Sequence, residues 1–482
     1  MAQRVEVGEA ETAADREAGM ISTPSGVDAL PLNEQPQLVA SLKGKSHKHP
    51  ALSKRQKLRD LLAGDLNFHG EDSSYASHDV HAFAAKFPPQ LPRAFMRGLT
   101  VPGDFVLDPM MGSGTTIVEA LLAGRHGVGL DIDPLALRIS QAKTTPMRVD
   151  DLRDIGRKVI SQAQGLLADK SMEALIQKFD SRTKAFIDYW FYPNTQRELA
   201  ALIRAIQMVE VSLVRRFLEL TFSSIIVTKS GGVSRARDLA HSRPHLDKEK
   251  HPKHALEQFS MRLQKNIKSM SHLDTKGALT VPLPGDARSM PLRDEVIDLI
   301  ITSPPYANAI DYMRAHKFPL VWLGEPVINL TERRTRYIGS EKINGAQYVE
   351  LPDKTESIIR QLAERDRQKS SILRKYFAEM KAVLSEMYRV LRQDSPAIVV
   401  VGPSIMRGID VQTHHCLAEI AQEAGFDVVG VVQRILDRNK RMMPARFGKK
   451  TDAMIEQRMH EEYVIGLLKP ALRHSRPEFF ML

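Results

Sequence analysis

Two short apolar runs, each stopping at an abrupt polar corner, constrain this chain more than any other feature. Phe105-Val-Leu107 ends at Asp108-Pro-Met-Met-Gly-Ser-Gly-Thr-Thr116, and Val296-Ile-Asp-Leu-Ile-Ile-Thr302 ends at Ser303-Pro-Pro-Tyr306. Runs this short and this apolar predict strands covered on both faces, as in a parallel sheet between helices. Behind the first corner, Ile117-Val-Glu-Ala-Leu-Leu-Ala-Gly124 carries apolar residues at helical spacing, so the unit reads strand, turn, helix. Gly112 and Gly114 let the turn tighten and let backbone approach a ligand. A further run, His126-Gly-Val-Gly-Leu130, leads into Asp131-Ile-Asp133, which sets an acid about 20 residues beyond the loop, where ribose hydroxyls are held in nucleoside-binding folds. A nucleoside cofactor is expected there.

The second corner lies at the carboxyl end of its strand, the edge where open α/β sheets bind ligands. Pro304 and Pro305 fix two φ angles and remove two N–H donors. That leaves the Pro304 carbonyl and the Ser303 side chain as acceptors beside the flat ring of Tyr306, a set suited to gripping an amino group on an aromatic base.

With both corners in view, the chain resembles the S-adenosylmethionine-dependent amino-methyltransferases of DNA, especially the cytosine N4 enzymes with a Ser-Pro-Pro-Tyr signature. The resemblance extends to His81-Ala-Phe-Ala-Ala-Lys-Phe-Pro-Pro89, similar to the segment that closes over the methionine end of the cofactor, and to Pro284-Gly-Asp-Ala-Arg288, similar to the acidic turn near its adenine. It implies an α/β fold with a Rossmann-like seven-stranded sheet. It implies S-adenosylmethionine contacts at Lys86, Phe87, Asp108, Pro109, Gly112, Ser113, Gly114, Thr115, Asp131 and Asp286. It also implies catalysis by Ser303, Pro304, Pro305 and Tyr306 on a base flipped from duplex DNA, with a restriction nuclease as functional partner. Asp311 and Tyr312, just past the corner, are secondary candidates for the target pocket.

Four alternatives to one another remain at this stage: methylation of cytosine N4 in DNA, of adenine N6 in DNA, of guanine N2 in RNA, or a nucleic-acid-binding subunit that keeps the fold without activity. The RNA enzymes normally carry an RNA-binding domain ahead of the core, and residues 1–75 look too polar to form one. A net charge of +10 suits a polyanionic partner, because cationic surfaces gain affinity by releasing condensed counterions.

The single cysteine, Cys416, excludes internal disulfides and points to a reducing, cytoplasmic setting. It follows His415 in a helical stretch and reads as a buried structural residue, not as the nucleophile that carbon-5 methylation of cytosine needs. His414-His415 and the histidines near residue 245 lack the thiolate and imidazole spacing of a zinc site, so no metal is expected. No apolar run is long enough to span a membrane.

The chain divides into an arm of residues 1–75 expected to stay disordered, with its basic run at Lys43–Pro50; a first part of the core, 76–150; a mostly helical insertion, 151–275, expected to bind the target; and a second part of the core, 276–475. In the insertion, Thr228-Lys-Ser-Gly-Gly-Val-Ser-Arg-Ala-Arg237 and the basic residues after it form the strongest positive loop. Lys229, Arg235, Arg237 and Arg243 are its candidate DNA contacts. Helical patterns run over 155–168, 196–211, 214–227 and 357–391, and three later strands are expected at 396–402, 428–434 and 462–468. A basic connection at Asp437–Lys450 could lie on the nucleic-acid backbone. No motif bears on oligomeric state.

Overall fold

Seven apolar runs pair into one sheet: β1 (Phe105–Asp108), β2 (His126–Asp131), β3 (Thr280–Pro284), β4 (Leu299–Thr302), β5 (Ser395–Val401), β6 (Asp427–Ile435) and β7 (Glu461–Lys469). The computed structural model describes residues 52–84, 86–169, 171–228, 232–237, 244–307, 311–341, 349–436 and 460–471. The spatial order is β6-β7-β5-β4-β1-β2-β3. Neighbours run parallel except β7, which is antiparallel to both β5 and β6. This is the Rossmann-like seven-stranded methyltransferase sheet. The chain steps outward from β1 in one direction through β2 and β3, then returns to the other side of β1 with β4. The switch point between β1 and β4 is where such sheets open a ligand crevice.

Every residue of β1, β4 and β5 is buried, which explains why these strands read as unbroken apolar runs. Val106, Leu299, Ile301, Ile398, Val400 and Val464 face the helices Lys54–Ala63, Gln90–Leu99 and Thr115–Leu122. Phe105, Leu107, Ile300, Ala397 and Val399 face Asp353–Arg365, Arg367–Val390 and Thr413–Glu423. Cys416 is buried in the last of these helices, and burial pushes its thiol up, away from reactivity.

Two expectations need correction. The arm does not extend to residue 75: Lys54–Ala63 is a helix, started by Ser53, whose hydroxyl accepts from the Gln56 N–H. Its buried Leu58 and Leu62 lie against β7 at Gly466, where a Cβ would come within 2.5 Å of Leu62. The surrounding lysines and arginines masked an apolar pair spaced for one helical face. Residues 1–51, with the Lys43–Pro50 run, lie outside the described residues, as do Asp437–Lys450. The pattern over 357–391 is likewise two helices, because Asp366 adopts an extended backbone (φ −158°, ψ 97°) and caps the second through the Lys369 N–H.

The helices Val149–Leu166, Ser181–Trp190, Pro193–Gln207, Ser212–Ile226 and Ala255–Met270 pack on one another through Leu199, Phe217, Phe222 and Phe259, and on the helix Pro134–Thr144 through Leu135 and Ile139. Phe318 and Trp322, from the helix Met313–Trp322 that follows the second corner, join the same core. The insertion is thereby fastened to the corner from the far side of the sequence.

Behind the glycine loop, Glu119 is almost fully buried on the helix Thr115–Leu122. It accepts bonds from the Tyr75 hydroxyl, from His78 Nε2 at 2.8 Å and from Arg93 Nε at 2.9 Å. Burial works to raise its pKa, but these partners hold the carboxyl below the usual range. Glu119→Ala would strand Arg93 and His78 without their acid. It is expected to destabilise the protein by roughly 2 to 4 kcal/mol in chemical denaturation, somewhat under the about 3 to 5 kcal/mol for removing one member of a fully buried ion pair, because Arg93 stays partly exposed. A change below about 1 kcal/mol would show that the cluster is dispensable.

Candidate active site

The glycine loop is held from three sides. Asp131 Oδ2 accepts the Gly112 N–H at 2.9 Å, Ser140 Oγ donates to the Gly112 carbonyl at 3.0 Å, and the buried Lys143 ammonium donates to the Ser113 carbonyl at 2.7 Å. Gly112 (φ +49°) and Gly114 (φ +76°) both occupy the left-handed region that favours glycine. A Cβ on Gly112 would also press to 2.9 Å from the Phe83 ring. Phe83 stacks on Tyr312, with centroids 5.4 Å apart, so the segment before the loop and the helix after the second corner close on one another over Gly112.

The two corners meet. Thr302, last residue of β4, donates from its hydroxyl to Asp108 Oδ1, at the end of β1, at 2.7 Å, and Thr116 Oγ1 donates to the Ile301 carbonyl at 3.2 Å. Ser303 therefore begins where the loop begins. One cleft, enclosing about 940 Å³ with its open mouth, is lined by Lys86, Phe87, Asp108, Pro109, Gly112, Ser113, Thr115, Asp131, Asp286, Ser303 and Pro305. Gly114 supports the loop from beneath, its Cα facing Ser140. Pro304 is buried beside the cleft. Tyr306 stands off its lining: its hydroxyl donates to Glu462 Oε1 at 3.1 Å and its ring lies against Gly402.

The two acids of Asp131-Ile-Asp133 do different work. Asp133 caps the helix Pro134–Thr144 through the Leu135 and Ala136 N–H groups and holds His316 Nδ1 at 2.6 Å. Burial opposes its ionisation, but His316 and those N–H groups keep its carboxyl below the usual range. Asp131 receives the Asp133 and Gly112 N–H groups, and burial together with the Asp133 charge pushes it up to about 7. Asp108 is pushed up to about 6 by burial, against the Thr302, Thr116 and Met110 bonds. Asp286, half-buried in the turn after β3, is gripped by Arg288 through Nε at 2.9 Å and Nη2 at 2.6 Å.

Sequence reasoning did not find Phe83, Tyr337 and Ile338, which also line the cleft, nor Asp133 as the anchor of His316. The Phe83 and Asp133 positions lay inside motifs that pointed here; Tyr337 and Ile338 did not. Of the candidate DNA contacts, Arg237 is exposed and pairs with Asp247 at 2.6 Å across a small hairpin, while Arg235 lies over the Tyr192 ring at 4.6 Å and donates to the Tyr189 carbonyl. Lys229 and Arg243 are outside the described residues. Among the described residues no three His, Cys, Asp or Glu side chains gather to hold a metal, and no helix is long and apolar enough to cross a membrane.

Residues 41–142 match a family model described as DNA methylase. The type II methyltransferase M.MjaII of Methanocaldococcus jannaschii is 23% identical over 377 residues, 60% of this chain and 70% of its own. M.MvaI of Kocuria varians is 22% identical over 406 residues, 76% of this chain and 87% of its own. M.AvaI of Nostoc sp. is 34% identical over 149 residues, 27% of this chain and 31% of its own. The sheet, the order of the motifs along it and these matches agree: the chain resembles the amino-methyltransferases of DNA, and its cleft suits S-adenosylmethionine as cofactor.

Proposed function

We propose that the protein methylates the exocyclic N4 amine of cytosine in duplex DNA, with the target base flipped into the cleft. The observation that carries this reading is the Thr302–Asp108 bond, which seats Ser303 on a wall shared with the glycine loop. The residues present suit the cofactor. Ser113 Oγ is buried in the cleft lining without a protein partner, the acids suit ribose hydroxyls and a cationic centre, and Phe87, Ile132, Ala287 and Ile338 offer apolar walls. Asp131 would take the ribose, Asp286 would lie near the adenine, and Lys86 and Phe87 would close on the methionine end. When bound, S-adenosylmethionine supplies an electrophilic methyl group on a sulfonium.

The remaining work falls to the second corner. The lone pair of an exocyclic amine is delocalised into the base, so it attacks carbon poorly until acceptors draw its protons towards a tetrahedral geometry. Ser303 and the Pro304 carbonyl are the acceptors, and fixing them in advance stabilises charge growing on nitrogen by about 3 kcal/mol per well-placed group. Stacking on Tyr306 contributes roughly 1 to 3 kcal/mol towards the cost of flipping the base. Ser303 in the first position of the signature favours cytosine over adenine. A cytoplasmic setting and a cognate nuclease, whose cutting the methyl mark would block, complete the reading.

Incubation with isotopically labelled cofactor and a mixture of DNA and RNA, followed by nucleoside mass spectrometry, is expected to give N4-methylcytosine from DNA. N6-methyladenine would move the assignment to adenine, and labelled RNA guanine would overturn it. The Arg235→Ala, Arg237→Ala double variant is expected to flatten the log–log salt dependence of DNA binding, by roughly 0.9 for each phosphate contact removed. An unchanged slope would remove the basic hairpin from the interface.

A further inference from the structure

Tyr306 is not left to find its own orientation. Its hydroxyl donates to Glu462 Oε1 at 3.1 Å, and Glu462 Oε2 accepts from Arg434 Nη1 at 2.7 Å. Arg434 and Glu462 face each other across the β6–β7 pair, at the same end of the sheet as the corner after β4. Both side chains are nearly buried. Arg434 is itself pinned by the Leu66 carbonyl at 3.0 Å, and the neighbouring Ile435 N–H donates to Asn67 Oδ1 at 2.6 Å. The chain of bonds runs from backbone through guanidinium and carboxylate to the phenol.

The ring is also seated. A Cβ on Gly402, the residue after β5, would lie 2.9 Å from Tyr306 Cζ and 3.1 Å from Cε2. Gly402 has no positive φ, so its backbone would accept alanine without strain. The glycine is needed there because of what lies against it, not because of its own conformation. A buried Arg–Glu pair is weak evidence for stability, since desolvation cancels much of its attraction. Here one carboxylate oxygen is turned to the tyrosine, which gives the pair a second task.

We infer that Glu462, backed by Arg434, and Gly402 are positioning residues that fix the Tyr306 ring at the angle required to receive the flipped base. This rests on the role proposed above for Tyr306. A tyrosine tethered at both its hydroxyl and one side of its ring loses little further rotamer freedom on stacking. Its exposed side is presented already aimed, so the base amine meets Ser303 without a search.

The test is a double-mutant cycle read in single-turnover rate and in cofactor Kd. Tyr306→Phe and Glu462→Gln are each expected to slow methyl transfer by about 10-fold, the scale of a sub-ångström misplacement of reacting groups, with cofactor Kd within about twofold of wild type. The double variant is expected to be no slower than the worse single variant, because both changes remove the same hydroxyl-to-carboxylate bond: with its oxygen held by the donor-only Arg434, the glutamine amide turns its NH2 to the phenol. Gly402→Ala, which leaves the Arg434–Glu462 pair intact, is expected to slow transfer to a similar degree by displacing the ring. Multiplicative losses in the double variant, or a Gly402→Ala enzyme with wild-type turnover, would overturn the positioning role. Normal turnover in Tyr306→Ala would instead remove the stacking role, and the positioning role with it.

Discussion

Asp131→Ala is expected to weaken S-adenosylmethionine binding by about 100-fold, the equivalent of losing roughly 3 kcal/mol of hydrogen bonding to a charged acceptor. The size follows from where the carboxylate sits. Besides facing the cleft, it receives the Gly112 and Asp133 N–H groups, so its loss removes a ligand contact and releases the loop that shapes the site. The effect should also depend on pH. Burial and the nearby Asp133 charge push Asp131 up to about 7, so near neutrality the ligand-free protein carries this group partly protonated. Only the ionised form accepts hydroxyl bonds with both oxygens and favours a nearby cation, so binding selects it. Cofactor affinity should therefore rise between about pH 6 and about pH 8, approaching a tenfold change per unit on the acid side. Asp131→Asn should abolish that slope. Titration calorimetry across the range decides the matter, and a flat profile in the wild type would remove Asp131 from the ribose.

The same raised pKa has the opposite sign for folding. A carboxyl whose pKa is higher in the folded chain stabilises it at low pH, and that contribution disappears as pH rises through the folded value. Asp108 and Asp131 thus oppose stability near neutrality, a strain that the ligand-free site carries and a bound cation relieves.

The second large effect is expected at Tyr306. Tyr306→Ala should lower kcat by roughly 100-fold through lost stacking and loosened base placement, while cofactor Kd moves by less than about threefold. The separation is expected because Tyr306 lies outside the lining of the loop-side cleft and is anchored to β7 through Glu462. Stopped-flow measurement of methyl transfer together with equilibrium cofactor binding distinguishes the two quantities. A parallel loss of cofactor affinity would place the ring at the donor instead of the acceptor.

How far the structure was legible in the chain depends on the range of the cause. β1, β4 and β5 are buried on both sides, so each had to be written as a continuous apolar run, and the corners following them had to carry the polar chemistry. In the insertion, Val149–Leu166, Pro193–Gln207 and Ser212–Ile226 announced themselves by periodicity, whereas Ser181–Trp190 and Ala255–Met270 did not. The helix Lys54–Ala63 escaped notice because basic residues surround its two buried leucines, and what fixes it is Gly466, about 400 positions away. The His316–Asp133 and Tyr306–Glu462 bonds join segments whose proximity exists only after the sheet has formed. Glu119 lay in a pattern read as apolar helix, and nothing local distinguishes an acid that will find three partners from one facing water.

The packing of Leu58 and Leu62 on β7 brings an early helix against the strand that closes the described chain. A peptide joint between those two ends, with a fresh break at some exposed loop, would therefore preserve every strand neighbour. The linear succession of donor half and acceptor half is thus a matter of genetic bookkeeping, while their adjacency across the β1–β4 seam is not.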